Sequence, residues 1–492
     1  MAAYTATRKG PQKLYGFYGN GNGATYTITV INGTGKLNKY DVNRRPIRGG
    51  MASVIATGGA GGAPLTYTEP ARFDFELEVW ADVSTAGTFT ITITSTNSGD
   101  NVMMATFSDG TGTALLKPDG STFVLGTGYT QPLIYYSDAY QKYKAGTADL
   151  RIGIAGNSIA SGAYGNGTVG APGTVNIRQY SLANQLTALF TAAGESVNIG
   201  NTWGDQNYSS ALGTNLYDPS VTLQAGWIYS GNGSAYWSLG GNWCSVSAGT
   251  GRYRFTPPAN TNGADFYFLT DLTYGAASLA VDGTAAIVNY NTAIATGLGV
   301  QSVSTTLGAH TWDAFKQVTG DGKAINIVGI DTYDTTKKQI RIYNTAIGAA
   351  TIQNWSLATA GYNLQNAAVA LGCHLWIIPL TVNEANNALA SATIEPLYQQ
   401  FHDAVTAAGA DVIFVAEYPI GTANGLANQA RISRSIAKIA AANNRRLVNV
   451  YTAEGSFALL QAKNWFPAGE LIHGNNLLLV DSATKIFAAL TP

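Results

Sequence analysis

From about residue 148 the chain alternates between short apolar runs and segments with helical spacing. Leu150–Ala155 reads as a buried strand, Ser181–Ala193 as a helix closed by Gly194, and Ser196–Gly200 as a second strand. The alternation stops near residue 206 and returns after Ile340. There Leu375–Leu380, Val412–Ala416 and Arg446–Val450 predict strands, and Ile394–Ala408, Ala427–Asn443 and Ser482–Leu490 predict helices. Apolar strands interleaved with helices imply a parallel sheet covered on both faces. Residues 207–339 look all-β instead, with strands at Arg252–Phe255, Asp265–Thr270, Ser278–Asp282 and Ala324–Ile330 separated by Gly, Asn and Asp. Upstream, period-two alternation at Ala24–Ile31, Phe73–Val79 and Thr88–Ser95 predicts antiparallel strands, and the Gly-rich stretch Thr57–Pro64 reads as a linker.

The pattern divides the chain into a basic, Gly/Asn-rich attachment region (1–70), a small antiparallel β domain (71–145), and an α/β domain in two parts (146–206 and 340–492). A β-sandwich (207–339) is inserted between those parts. No repeat recurs at a fixed period.

Composition narrows the class. Charged residues make up only 12% of the 492, about half the usual share of ~25%, so hydroxyls and amides must cover the surface. That favours a β-rich extracellular, viral or surface-exposed protein. With 9 Trp, 27 Tyr and 16 Phe the chain can bury a core, which excludes disorder. A net charge of −1 excludes a globally basic nucleic-acid binder, although residues 1–70 carry +6 (Arg8, Lys9, Lys13, Lys36, Lys39, Arg44, Arg45 and Arg48 against Asp41 and Glu69). Two distant cysteines, Cys244 and Cys373, give neither a disulfide framework nor metal-ligand spacing. No apolar run approaches 18 residues, so no membrane span is expected, and the first residues lack the apolar core of a signal peptide. These features together fit export on a virus particle. The Asp/Asn/Gly clusters at 205–207 and 331–334 lack calcium-loop spacing and read as turns.

Four segments carry chemistry, in order. Gly156-Asn157-Ser158 follows a strand directly, which exposes a serine hydroxyl at the carboxyl end of the sheet, where open α/β sheets bind ligands. Such a serine needs a base. Ile342–Thr351 is a strand followed by a turn of small residues, among them Gly348 and Ala349, whose backbone N–H groups can approach a substrate oxygen. Asn383 ends an apolar strand and can donate to a developing oxyanion. Of four histidines, His310 falls in the β segment, His374 precedes a strand and His402 lies mid-helix. Only His473 lies in a loop with a carboxylate, Glu470, three residues upstream. Imidazole is the usual base for serine, and a carboxylate fixes its tautomer.

This set resembles the SGNH (GDSL) hydrolase family, whose members carry a Gly-Asp-Ser block, a glycine block, a Gly-x-Asn-Asp block and a late Asp-x-x-His block. The resemblance covers about 148–205 and 340–492. It implies a flavodoxin-like sheet and ester hydrolysis without cofactor or metal. Ser158 would be the nucleophile, His473 the general base and Glu470 its partner. The oxyanion hole would use the Ser158 N–H, a backbone N–H at Gly348 or Ala349, and the Asn383 side chain. Some members similar to this chain carry a β-sandwich before the glycine block, which favours Ala349. The rival glycine segment offers Gly204. The chain departs from the family at Asn157 (usually Asp), Thr381 (usually Gly), Ala349 (usually Gly) and Glu470 (usually Asp). Ala keeps a backbone donor unless the position needs a positive φ.

The expected protein is a serine esterase that deacetylates a cell-surface polysaccharide. Its location would be a phage tail fibre or tailspike, joined to other virion proteins through residues 1–70, with trimerisation possible. Tyr236, Trp237 and Trp243 are candidates for stacking on sugars, against a core role. The alternatives are a non-catalytic virion structural or glycan-binding protein with a decayed site, and a secreted bacterial esterase carrying an export signal.

Overall fold

The computed structural model describes residues 133–162, 177–198, 200–204, 220–230, 238–241, 243–443 and 445–490, together with the strands named below and two short strands at 208–209 and 214–215. Residues 1–125 form one compact unit and residues 126–492 a second.

The first unit contains two four-stranded antiparallel sheets. One orders Gln12–Asn20, Asp74–Ala81, Gly33–Tyr40 and Ser53–Thr57; the other orders Leu65–Thr68, Thr25–Ile31, Phe89–Ser95 and Met104–Phe107. Both take strands from either side of residue 70, so the division expected there falls inside both sheets. The Thr57–Pro64 linker beyond its first residue, and Arg8, Lys9, Arg44, Arg45 and Arg48 of the basic region, lie outside the described residues.

The second unit is built on a six-stranded parallel sheet. Its strands are β1 (Leu150–Ile154), β2 (Val197–Asn198), β3 (Ile340–Tyr343), β4 (Leu375–Pro379), β5 (Asp411–Ala416) and β6 (Arg446–Asn449), in the order β2-β3-β1-β4-β5-β6. β1 therefore sits inside the sheet. The chain runs from it to one edge, returns through β3, and crosses to the other side for β4–β6. The carboxyl end of β1 is the switch point, where the crossing connections leave a crevice.

Alternate strand residues enter two separate cores. Leu150, Ile152, Ile154, Leu375, Ile377 and Ile413 join the cluster that includes the helices Leu182–Ala192 and Asn476–Ala488. Trp376, Ile378, Val412 and Phe414 join the opposite cluster with the helices Leu364–Leu371, Ser391–Ala407 and Ala423–Ala442. Burial on both faces is why these strands read as continuous apolar runs. Gly153 is required between them, because a Cβ there would meet the Trp376 ring at 2.6 Å. The helix Leu182–Ala192 starts where Ser181 Oγ accepts from the Asn184 N–H (3.2 Å), a serine N-cap.

The helix Ile134–Lys144, which falls within the antiparallel β domain expected at 71–145, packs on this sheet instead. Tyr136, Ala139 and Tyr143 are buried against β1 and the Asp411 end of β5, with the Tyr136 N–H donating to Asp411 Oδ2 at 3.0 Å. Its buried stripe is tyrosine and alanine, so it carries little hydropathy signal.

Between β2 and β3 lie two antiparallel sheets. The first orders Ile228–Ser230, Trp243–Val246, Ile325–Tyr333, Thr261–Thr270 and Gly297–Gly308, with Asn201–Trp203 also pairing with Ile325–Tyr333; the second orders Val221–Leu223, Arg252–Phe255, Trp312–Lys316, Ala276–Val281 and Val288–Asn291. Residues from both share one core that includes Phe255, Phe266, Phe268, Leu279, Trp312 and Ile327. Cys244 is buried in that core.

A buried ion cluster seats these sheets on the parallel one. Arg341 of β3 lies 3.0 Å from Asp331, 3.3 Å from Asp265 and 3.1 Å from Asp149, with its guanidinium 3.7 Å from the Tyr333 ring centre. Asn198 and Tyr343 also donate to Asp331 (2.8 and 3.0 Å). Burial pushes the Asp331 carboxyl up to about 6 against the pull of Arg341. Asp331 is thus a structural anion, and among the described residues no group of three or more His, Cys, Asp or Glu could hold a metal ion. Replacing Arg341 by Met strands these carboxylates, and removing one partner of a buried pair typically costs about 3–5 kcal/mol. Urea unfolding of Arg341→Met should show a loss of that size.

Candidate functional site

β1 ends at Ile154, and Ala155-Gly156-Asn157 turns the chain into a one-turn helix, Ser158–Ser161. The turn is close-packed. A Cβ on Gly156 would lie 2.5 Å from the Ala160 Cβ. Asn157 caps the helix, its Oδ1 accepting from the Ile159 N–H at 2.9 Å. Ser158 is left partly exposed at the sheet's carboxyl end.

Ser158 Oγ lies 3.0 Å from His473 Nε2. The two are 315 positions apart in sequence. On the other ring nitrogen, Nδ1, Glu470 Oε1 lies at 3.4 Å, long for a hydrogen bond. The same oxygen accepts from the N–H groups of Leu471 (3.1 Å), Ile472 (2.9 Å) and His473 (3.1 Å). Burial raises the Glu470 carboxyl, but these bonds and the imidazole outweigh it and bring it down to about 2. Glu470 thus organises the loop as much as it faces the ring.

The remaining histidines are engaged elsewhere. His374 Nδ1 accepts from the Arg151 N–H (3.0 Å), His402 contacts Asp403 and Arg445 (2.8 and 3.0 Å), and His310 contacts Asp282 (2.8 Å).

The turn after β3 is locked to the serine turn. The Ile347 N–H donates to the Gly156 carbonyl at 3.0 Å, and Thr345 Oγ1 to the Ile154 carbonyl at 2.8 Å. The Ala350 N–H then closes a four-residue turn on the Ile347 carbonyl (3.2 Å) with Gly348 and Ala349 exposed at its centre. Ala349 has φ of 62°, as the third residue of a type II turn requires. Neither the Ser158 nor the Ala349 N–H donates a hydrogen bond among the described residues. Asn383 reaches the same turn, its Nδ2 donating to the Ala350 carbonyl at 2.9 Å, which leaves the amide a second N–H. Gly204 is placed differently. Its N–H donates to the Val328 carbonyl, within the antiparallel sheets.

Three residues that the sequence reading passed over hold these parts. Glu417, at the carboxyl end of β5, is buried. It accepts from Asn157 Nδ2 on both oxygens (3.0 Å each), from the Thr381 N–H (2.7 Å) and from the Val382 N–H (2.9 Å). Burial pushes its carboxyl up, and these donors pull against that shift. Tyr418 Oη accepts from the Gly474 N–H at 2.9 Å, beside His473. Glu384, next to Asn383, accepts from the Ile352 N–H at 2.7 Å. Its other oxygen is buried without a partner among the described residues, and burial pushes its carboxyl well above the ordinary range. The signal available in the sequence was a lone acid directly after an apolar strand, as in Val-Ala-Glu417.

Of the candidate sugar-stacking aromatics, Trp243 is buried and packs on Tyr362 (6.1 Å between ring centres), while Tyr236 and Trp237 lie outside the described residues, as do 205–207. Among the described residues no helix is long and apolar enough to cross a membrane.

Fold and site together define an α/β protein with a doubly wound parallel sheet that carries a serine–histidine–carboxylate arrangement at its switch point. No protein-family model matches the sequence, and no curated protein matches it. Solved structures do. A structure described as a peptidoglycan O-acetylesterase in action aligns with 72% of this chain and 93% of its own, at 16% identity and a TM-score of 0.52. A Bacillus subtilis protein solved by a structural genomics consortium (14% identity, 54% of this chain and 88% of its own, TM-score 0.29) and a family two carbohydrate esterase from Cellvibrio japonicus (8%, 55% and 94%, TM-score 0.24) are more distant. The chain shares its fold with the first of these.

The left-handed backbone at Ala349 costs about 1–2 kcal/mol, of which glycine's extra unfolded-state entropy would return part. Ala349→Gly should therefore raise stability by about 0.5–1 kcal/mol in urea unfolding.

Proposed function

We propose that this protein is a serine esterase of SGNH type that removes acetyl groups from a cell-surface polysaccharide. The observation that carries the reading is the 3.0 Å contact between Ser158 Oγ and His473 Nε2 at the switch point of the sheet. Ser158 attacks the acyl carbonyl while its proton passes to His473 Nε2. The oxyanion is met by the Ser158 N–H, the Ala349 N–H and the second N–H of Asn383. Collapse expels the sugar alkoxide, which takes the proton from His473 and leaves an acetyl-serine. Water then attacks, giving a proton to His473; the bond to Ser158 Oγ breaks, the serine oxygen takes that proton back, and acetic acid leaves and ionises to acetate. Glu470 holds the imidazole loop and faces Nδ1. The chemistry needs no cofactor or metal.

A glycan substrate is supported by the likeness to the structure described as a peptidoglycan O-acetylesterase. We read the sheets between β2 and β3 as an inserted β-sandwich. The N-terminal unit, residues 1–125, we read as the part that attaches the protein within a phage tail fibre or tailspike, on the strength of the charge-poor, β-rich composition and the basic start. A decayed, purely structural site is not favoured, because the serine and the histidine are both present and in contact.

Hydrolysis of a small aryl acetate tests the chemistry. Ser158→Ala should lower kcat by at least about a thousandfold. Asn383→Ala should lower it about a hundredfold to a thousandfold, the usual effect of removing one oxyanion donor. Activity surviving intact in Ser158→Ala would place the nucleophile elsewhere.

In the pH–rate profile Glu470, ionised down to about pH 2, should add no limb of its own above about pH 3. Since Glu470 lies 3.4 Å from Nδ1, Glu470→Gln should cost only about tenfold in kcat.

A further inference from the structure

We infer that Glu417 is a positioning residue for the esterase site, and that Asn157 stands where it does because Glu417 faces it. The inference rests on the esterase reading of Ser158, Asn383 and His473.

Every partner of the Glu417 side chain is a donor: Asn157 Nδ2, the N–H groups of Thr381 and Val382, and Thr381 Oγ1 (3.3 Å). A carboxylate, which only accepts, satisfies them all. The Glu417 N–H in turn donates to Thr381 Oγ1 at 2.9 Å. The side chain thus joins the turn that presents Ser158 to the turn that presents Asn383. These two turns leave adjacent strands, β1 and β4, and the described structure bonds them through this one carboxylate. From Asn383 and Glu384 the tie continues to Ala350 and Ile352 (2.9 and 2.7 Å), and so to the Ala349 turn.

Asn157 has two tasks. Its Oδ1 caps the Ser158 helix, and its Nδ2 donates to Glu417. An aspartate performs the first and not the second, since its free oxygen would face the Glu417 carboxylate at hydrogen-bond distance, where two like charges cannot both persist. A glutamine at position 417 fails in the complementary way: with its oxygen kept for Thr381, Val382 and one Asn157 contact, its amide replaces the oxygen that takes the other Asn157 contact at 3.0 Å, and there the two amides meet donor to donor. Combining the two changes restores one donor and one acceptor. The introduced aspartate would accept from the Ile159 N–H with one oxygen and from the introduced glutamine amide with the other.

The test is a four-protein cycle in the full chain: wild type, Asn157→Asp, Glu417→Gln and the double variant. kcat and KM are measured on an aryl acetate, and melting temperatures by circular dichroism. Each single variant should lose about tenfold to a hundredfold in kcat with KM changed less than about threefold, because displaced transition-state donors act on the chemical step. The double variant should recover kcat above either single and melt above either single. Thr381→Val, a gentler loosening of the same tie, should fold and lose kcat by less than about tenfold. It reads the tie if Glu417→Gln does not fold. Single variants with wild-type kcat, or a double variant whose losses multiply, would overturn the positioning role. A double variant that melts below both singles would overturn the pairing itself, whatever the activity. A wild type that neither hydrolyses the ester nor is labelled at Ser158 by an organophosphonate defeats the esterase reading and the positioning role with it, while the melting cycle still decides the Asn157–Glu417 pairing.

Discussion

The candidate site hangs on a buried carboxylate. Glu417 and its neighbour Tyr418 leave the carboxyl end of β5, and between them they bond the turns that bring Ser158, Asn383 and His473. Glu417 takes the Asn157 amide beside Ser158 and the Thr381 and Val382 N–H groups before Asn383. Tyr418 takes the Gly474 N–H beside His473. Burying a charge is unfavourable unless its hydrogen-bonding capacity is met, and here the donors that meet it are those the site needs held still. The energetic demand of one side chain thereby becomes the geometric order of three loops.

A second constraint governs the antiparallel sheets between β2 and β3. These two strands are hydrogen-bonded neighbours, with Val197 opposite Ile340, so the segment between them leaves and re-enters the parallel sheet at adjacent points. The seat is electrostatic: Arg341 belongs to the parallel sheet, while Asp265 and Asp331 belong to the inserted ones. The turn that holds Ala349 follows Arg341 by only a few residues. The same strand therefore anchors the insertion and presents Ala349.

Much of the α/β unit was legible in the chain. β1, β4 and β5 fall within a residue or two of their apolar runs, because strands buried on both faces have no polar alternation to blur them, and the partly exposed edge strand β6 matches its run as closely. The inserted strands were longer than expected: Asp265–Thr270 extends back to Thr261 and Ala324–Ile330 on to Tyr333, since Asn262, Asp331 and Thr332 are buried polar residues that read as turns. The last helix begins at Asn476 rather than Ser482, as Asn475 caps it through the Leu477 N–H (3.0 Å) while Leu477 and Val480 face outward and spoil the stripe. The tyrosine-faced helix at Ile134–Lys144 was missed for a related reason. Ser158, Asn383, Glu470 and His473 could be put forward as candidates because their residue types and order are informative. Glu417, Tyr418 and Glu384 could not, because an acid or a tyrosine after a strand is common and its partner is remote; Asn157 and Glu417 are 260 positions apart.

Periodicity and residue type are local properties, and they were enough to place most strands and helices of the parallel-sheet unit and to mark residues 207–339 as β-rich. They were also enough to put forward one serine, one asparagine and one histidine as candidates for a shared site. Other features arise only on folding: the left-handed turn at Ala349, the commitment of Gly204 to another sheet, the Glu470 oxygen spent on three backbone groups, and the carboxylate that faces Asn157. Each depends on which atoms meet across the fold and on whether water is excluded there, and neither is written in the spacing of residues along a chain.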